Sequence, residues 1–341
     1  MSPDPVGGSL DVVTDPSTGL RPGSVGDPKA QAEFLVEVLP YIRRFSGKIV
    51  VVKYGGNALA GAVPPDARDA VTPGTEPGTP SAMTPGTEPG TPNSSESALA
   101  SFAQDVILLR SVGMLPVVVH GGGPQIGDLL RRVGKETQFL GGLRVTDADT
   151  LDIARMVLVG KVNRDIVSAM NIHGPLAVGL SGEDARMITA ARRSAELGYV
   201  GDVVEIDPVM ITRLLAEGLV PVVATIGADT AGQAYNINAD TVAGAIAEAL
   251  EAEKLVYLTD VAGLRSDPDD PATLLRRVTA GILDEMVASG AAGGGMAPKA
   301  EACARAVRAG VGRAHILDGR VPHALLLELF TDGGVGTMVV P

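Results

Sequence analysis

Lys48-Ile49-Val50-Val51-Val52-Lys53-Tyr54-Gly55-Gly56-Asn57 is the stretch on which the reading of this chain turns. Four apolar residues, all β-branched, lead into a lysine and a glycine pair. A run of this kind, bounded by turn residues, reads as a strand buried on both faces, as in a parallel sheet. Lys53 falls where the strand ends, and Gly55-Gly56 let backbone N–H groups approach a ligand closely. A cation and a glycine turn at the carboxyl end of a central strand point to a phosphate site. The working expectation is an ATP-using enzyme.

The whole composition bounds this expectation. With 341 residues the chain can bury a substantial core, in one large domain or two lobes. A net charge of −12 argues against a nucleic-acid surface, which needs a basic face, but a few local lysines suffice for a phosphate. Cys303 is the only cysteine, so no disulfide framework is expected, and among alanines it reads as a small buried hydrophobe. No basic segment followed by an apolar core stands at the N-terminus, and the apolar runs are of strand length. A soluble cytoplasmic protein, with neither membrane nor nucleic acid as partner, is expected.

Residues 1–28, rich in Gly, Pro, Ser and Asp, read as a disordered tail. Phe34, Leu35, Val38, Leu39, Ile42 and Phe45 then fall at helical spacing over 29–46, with Pro40 expected to kink the helix. Such a helix either packs on its own domain or swaps with a partner subunit. After the opening strand, VTPGTEPGTPSA at 71–82 is repeated as MTPGTEPGTPNS at 83–94. That composition cannot build a core, so 61–94 reads as a disordered insertion, with structure resuming at a helix capped by Ser95 or Ser97. The insertion is either inert or a mobile cover near the site.

From there strands and helices alternate. Strands are expected at 115–120, 176–180, 219–226, 255–259 and 314–317, with Val200–Ile206 as a peripheral antiparallel strand. Helices are expected at 125–133, 149–171, 208–217, 240–252, 274–290, 298–309 and 322–330. This rhythm predicts an α/β fold with a mainly parallel sheet covered by helices on both faces. Ligands in such sheets bind at the carboxyl ends of the strands.

Five short stretches fall at those ends. Lys53-Tyr54-Gly55-Gly56 and His120-Gly121-Gly122-Gly123 form two glycine turns that together suit an anion, although neither is a Walker loop or a dinucleotide fingerprint. In Gly141-Gly142-Leu143-Arg144-Val145-Thr146, Arg144 is either a carboxylate clamp or a surface arginine. In Asn236-Ile237-Asn238-Ala239-Asp240, Asp240 is either an ordinary helix cap or a carboxylate that fixes lysine ammoniums. The fifth, Gly293-Gly294-Gly295-Met296-Ala297-Pro298-Lys299, puts a lysine in a first helical turn, where the helix dipole disfavours it unless something negative lies close.

These stretches occur in a familiar order. VVKYGGNAL, VVVHGGGPQI, GLRVT, YNINAD, YLTDVAGL, GGGMAPK and HILDGR together resemble the N-acetylglutamate kinases of the amino acid kinase family, over residues 31 to 340 apart from the repeat. The resemblance implies a three-layer αβα sandwich around an open, mainly parallel sheet, with a catalytic domain over 47–341. Its lobes would be 47–232 for the acyl amino acid and 233–341 for the nucleotide. It implies transfer of the γ-phosphoryl of ATP, carried with Mg²⁺ and without a protein-held metal, to the side-chain carboxylate of N-acetyl-L-glutamate. By the same resemblance Lys53 and Lys299 stabilise the phosphoryl in flight and Asp240 orders them. Gly55, Gly56, Gly122 and Gly123 supply N–H groups, and Arg144 and Asn236 hold the substrate. Thr259, Asp260, Gly263, Leu264 and Gly293 belong to nucleotide-binding segments.

The residues agree chemically. A γ-carboxylate with a reference pKa of about 4.3 is already ionised at neutral pH and needs no general base. What it needs is in-line placement of two anions and positive charge for the spreading oxygens.

The resemblance extends to the arginine-inhibited type of this family, whose N-terminal kinked helix interlaces dimers into hexamers. It implies a homo-oligomer, dimer to hexamer, with L-arginine as inhibitor. Tyr41, His315, Glu328, Gly334 and Gly336 match positions of the effector pocket. The rival expectations are a sister kinase acting on N-acetyl-aminoadipate or another acidic amino acid, a non-catalytic ATP or arginine sensor, and a nucleotide-dependent oxidoreductase.

Overall fold

The computed structural model describes residues 28–55, 94–267, 270–291, 296–331 and 334–341. The chain divides into two units, one ending at Pro40 and one running from Tyr41 to Pro341. The expected tail at 1–27 and the insertion through residue 93 lie outside the described residues. Pro28 belongs instead to helix α1 (Pro28–Phe45), which has Pro40 inside it. A proline fits a first helical turn, whose N–H groups have no intrahelical acceptor.

After β1 (Ile49–Tyr54), α2 (Ser94–Ser111) starts just ahead of the two serines expected to cap it. β2 (Leu115–His120), α3 (Gly123–Arg132) and the hairpin β3 (Phe139–Leu140) and β4 (Leu143–Arg144) follow. α4 (Ala148–Arg155) runs through a π-helical segment, Met156–Val162, into α5 (Asn163–Asn171), and the three make the long helix expected over 149–171. Next come β5 (Ala177–Ser181), β6 (Ile188–Arg192), β7 (Val200–Ile206), α6 (Val209–Ala216), β8 (Val220–Ala224), β9 (Ile226–Ala228), β10 (Ala234–Ile237) and α7 (Ala239–Ala249). β11 (Lys254–Thr259), β12 (Arg277–Thr279), α8 (Ala280–Ala288), α9 (Ala297–Arg308), β13 (Arg313–Asp318), α10 (Ala324–Phe330) and β14 (Thr337–Val340) complete the chain.

The main sheet has eight strands in the order β12-β14-β13-β11-β1-β2-β8-β5, and only the β13–β14 pair is antiparallel. β1 lies near its middle, between β11 and β2, so Val50, Val51 and Val52 are completely buried. Each such side chain contributes roughly 1.5–3 kcal/mol relative to leaving it exposed. Alternation along the strand sends neighbouring side chains to opposite faces. Lys53 meets Asp240 of α7 on one face, while the Tyr54 ring stacks on Phe102 of α2 on the other, with centroids 4.0 Å apart. Helices therefore cover both faces, and the three-layer α/β expectation holds.

Three features differ from the sequence reading. The single strand expected over 219–226 breaks at Thr225 into β8 in the main sheet and β9 in a second, smaller sheet. β9, β6, β7 and β10 close into a four-stranded barrel, and β7 does pair antiparallel with β6. Strands of three to seven residues with glycines at Gly201 and Gly227 carry too little hydrophobic period to announce that barrel. The expected helix over 274–290 is helical only from Ala280. Just ahead of it Arg277–Thr279 form β12, three residues held by parallel pairing to β14.

Candidate active site

β1 and β2 run parallel and in register, Lys53 beside Val119 and Tyr54 beside His120, so their two glycine turns emerge together at one edge of the sheet. α7 begins on the same side. Its cap is Asn238, whose Oδ1 accepts the N–H groups of Asp240 (2.9 Å) and Thr241 (3.1 Å). Asp240 is therefore not the cap, and its carboxylate is left for the lysines. Oδ1 lies 2.8 Å from Lys53 Nζ, and Oδ2 lies 3.2 Å from Lys299 Nζ. The three side chains are only 8%, 10% and 19% exposed for Asp240, Lys53 and Lys299. Burial by itself would raise the Asp240 pKa, but the two ammoniums outweigh it and hold the carboxyl below its usual range. Lys299 sits in the first turn of α9 after Pro298, and Asp240 supplies the negative charge that position needs. Tyr257 Oη donates to the Asp240 carbonyl oxygen at 3.1 Å and pins the start of α7 from β11.

One glycine in each turn, Gly55 and Gly122, is closely packed. A methyl on Gly55 would stand 2.9 Å from the Leu258 carbonyl oxygen and 3.4 Å from Lys53 Nζ. One on Gly122 would stand 2.8 Å from Leu158 Cδ2 and 3.2 Å from Val162 Cγ2, both in the π segment. Gly123 opens α3 and faces no such obstacle. A cavity of about 220 Å³ joins Lys53, Gly122, Gly123, Arg144, Asn236 and Asp240. Arg144 is half-buried on β4. Its guanidinium donates to Gly123 O and Thr137 Oγ1, both at 2.9 Å, and lies 4.8 Å from the Phe139 ring centroid. Asn236 Nδ2 reaches Thr146 Oγ1 at 3.5 Å. Lys53 and the Arg144 guanidinium both line this cavity, and Lys299 meets Lys53 at Asp240, so its polar lining is suited to an anion.

The remaining predicted residues fall elsewhere. Thr259 ends β11 and accepts the Val261 N–H at 3.1 Å, and Asp260 is exposed beside it. Gly263 and Leu264 turn back toward β14. The Leu264 N–H donates to Thr337 Oγ1 at 2.8 Å, and its side chain is buried. Gly56 and Gly293 lie outside the described residues. Tyr41, His315, Glu328, Gly334 and Gly336 gather around a separate cavity of about 350 Å³, with Lys254 in its wall. There His315 Nδ1 donates to Glu328 Oε1 at 2.7 Å, and Glu328 Oε2 accepts the N–H groups of Val335 (2.7 Å) and Gly336 (3.1 Å). Burial opposes ionisation of Glu328, but these donors prevail and keep it well below the ordinary range. The sequence reading quoted His120 and Tyr257 within its motifs but gave neither a role, and it passed over Lys254 and Asn163. Asn163, a polar residue inside a helix, was a visible signal.

A model of the amino acid kinase family matches residues 48–318. The chain belongs to that family. Among its relatives, the acetylglutamate kinase of Symbiobacterium thermophilum is 53% identical, over 91% of this chain and 97% of its own. That of Acidothermus cellulolyticus is 50% identical, over 92% and 97%. These relatives set the chain in the acetylglutamate kinase branch of the family, and it is a kinase. Among solved structures, N-acetylglutamate synthase from Neisseria gonorrhoeae, complexed with coenzyme A and L-arginine, is similar with a TM-score of 0.70 and 25% identity, covering 91% of this chain and 65% of the longer one. Carbamate kinase from Giardia lamblia bound to AMP-PNP shares the fold, with a TM-score of 0.59 and 17% identity over 86% of this chain and 98% of its own.

Proposed function

We propose that the protein transfers the γ-phosphoryl group of ATP to the side-chain carboxylate of N-acetyl-L-glutamate. The product is N-acetyl-L-glutamyl 5-phosphate, in the second step of acetylated arginine biosynthesis. The observation that carries this reading is Asp240, which bridges Lys53 and Lys299 beside two glycine turns. Mere nucleotide binding needs no such trio, whereas a transferring phosphoryl group needs charge that is already in place when its oxygens spread. The names of the curated relatives support the substrate.

In this mechanism the acceptor carboxylate is ionised on arrival, so no protein group has to take a proton from it. Arg144 and Asn236 orient the acyl amino acid. Gly55, Gly56, Gly122 and Gly123 direct N–H groups at the anions, and Lys53 and Lys299 flank the phosphoryl in transit. Thr259, Asp260, Gly263, Leu264 and Gly293 shape the nucleotide side, in a lobe over 233–341 opposite one over 47–232. Mg²⁺ carried on ATP would supply further positive charge to the phosphoryl group in transit.

The test is an assay with ATP, Mg²⁺, hydroxylamine and a panel of N-acetyl-L-glutamate, N-acetyl-aminoadipate, glutamate and aspartate. Hydroxamate is expected with N-acetyl-L-glutamate above all. Preference for the longer acyl substrate would make the protein the sister kinase, and none with any substrate would leave a sensor.

The second cavity supports feedback inhibition by L-arginine. Glu328 suits a guanidinium, and Arg276, Arg277 and Arg313 in its walls suit an α-carboxylate. His315 Nε2 is buried there without a partner. A relative of the same fold was solved with L-arginine. The helix over 29–46, with Tyr41 at this cavity, then serves in oligomerisation. Millimolar arginine should lower the rate, and removal of residues 1–46 should weaken that effect. An unchanged rate with arginine would count against the reading.

A further inference from the structure

His120 ends β2 and is completely buried. Its Nε2 lies 3.0 Å from Asn163 Nδ2, and its Nδ1 lies 3.1 Å from the carbonyl oxygen of Gly121. The orientation of the Asn163 amide is fixed by other partners. Nδ2 also lies 2.8 Å from the Val222 carbonyl oxygen, which can only accept, while Oδ1 meets the Arg164 guanidinium, which can only donate. Asn163 therefore presents an N–H to the ring. Nε2 accepts it, the single ring proton sits on Nδ1, and Nδ1–H donates to Gly121 O.

That bond acts on the site through one peptide plane. The Gly121 carbonyl and the Gly122 N–H belong to the same trans peptide, so holding the oxygen fixes where the N–H points. As the cap and first residue of α3, Gly122 and Gly123 have N–H groups without intrahelical acceptors. Leu158 and Val162 of the π segment leave no room for a side chain on Gly122, and Asn163 follows directly on that segment. Single π turns recur inside helices at functional sites. Burial, with the nearby Arg164 charge and against the Gly121 bond, lowers the His120 pKa to about 4, so the ring stays neutral at neutral pH.

We propose that His120, locked by Asn163 in its Nδ1–H tautomer, is a positioning residue that aims the Gly122 and Gly123 N–H groups at the anions of the reaction. The proposal rests on phosphoryl transfer at this turn. His120→Asn keeps an amide N–H where Nδ1–H stood, whereas His120→Leu keeps none. His120→Leu should lower kcat about 100-fold, the loss expected for a misplacement near 1 Å, with KM for ATP little changed. His120→Asn should recover most of kcat. Unchanged kcat in His120→Leu, or an equal fall in both variants, would overturn the role.

Should the variants fail to fold, ¹⁵N NMR of the wild type decides. The expected result is an Nδ1–H imidazole that does not titrate between about pH 5.5 and 8. An Nε2–H ring, or one that titrates there, would overturn the proposal. A wild type that makes no acyl phosphate refutes phosphoryl transfer itself. An active wild type with an active His120→Leu refutes only the positioning role.

Discussion

Replacing Asp240 by Asn removes one charge and almost no volume, and so isolates the electrostatic part of the lysine pair. With carboxylate oxygens 2.8 and 3.2 Å from the two ammoniums, and an effective dielectric of ~20, each attraction is roughly 5–6 kcal/mol. Desolvation of all three groups offsets much of that sum. What remains on breaking a buried arrangement is about 3–5 kcal/mol, because charges stay buried with no counter-charge. Asp240→Asn should therefore lower the urea-unfolding free energy near pH 7 by that amount. The folded-state pKa of Asp240 is depressed, so its contribution is full above the ordinary carboxylate pKa of about 3.9 and is lost as pH falls through the depressed value. The gap between wild type and variant should close in acid. Turnover should fall by about 100- to 1,000-fold, the loss known for one preorganised stabiliser. Equal unfolding midpoints together with equal kcat would refute the reasoning.

Lys53→Ala and Lys299→Ala should each reduce kcat about 100- to 1,000-fold by steady-state kinetics, and the double variant should fall little further because the pair acts as a unit. Asp147 caps α4 by accepting the Thr150 N–H at 2.9 Å, and its ion pair with Lys135 is exposed. Asp147→Ala should cost about 1 kcal/mol in thermal unfolding, nearly all from the cap, without changing kcat. His120 titrates near 4 when folded and near 6.5 when unfolded, so the unfolded state binds the extra proton between those values. Stability should rise with pH across that window by roughly 3 kcal/mol in urea titrations, and His120→Asn should abolish the rise.

The parallel sheet was legible because Ile49–Tyr54 and Leu115–His120 are buried on both faces and read as unbroken apolar runs. The lysine at the end of β1 and the lysine opening α9 were legible for a local reason, each sitting where a cation has to be explained. Their meeting on Asp240 was not readable from the residues alone, since it joins three elements far apart in the chain. Asp240 also looked like a helix cap, and only the structure gives that task to Asn238. The barrel escaped because its strands are short, and β12 escaped because its pairing partner lies beyond residue 330. His120 showed no exposed base-like setting in the sequence. Its bonds run to a helix 43 residues away, and they fix its tautomer without exposing it.

The central claim is that the paired lysines move a phosphoryl group onto an acyl carboxylate. It is tested most directly by ³¹P NMR of the wild-type protein with ATP, Mg²⁺ and N-acetyl-L-glutamate. An acyl-phosphate resonance should grow in step with ADP, and only when the acyl amino acid is present. ATP that stays intact, or ADP that grows with inorganic phosphate regardless of N-acetyl-L-glutamate, would contradict it.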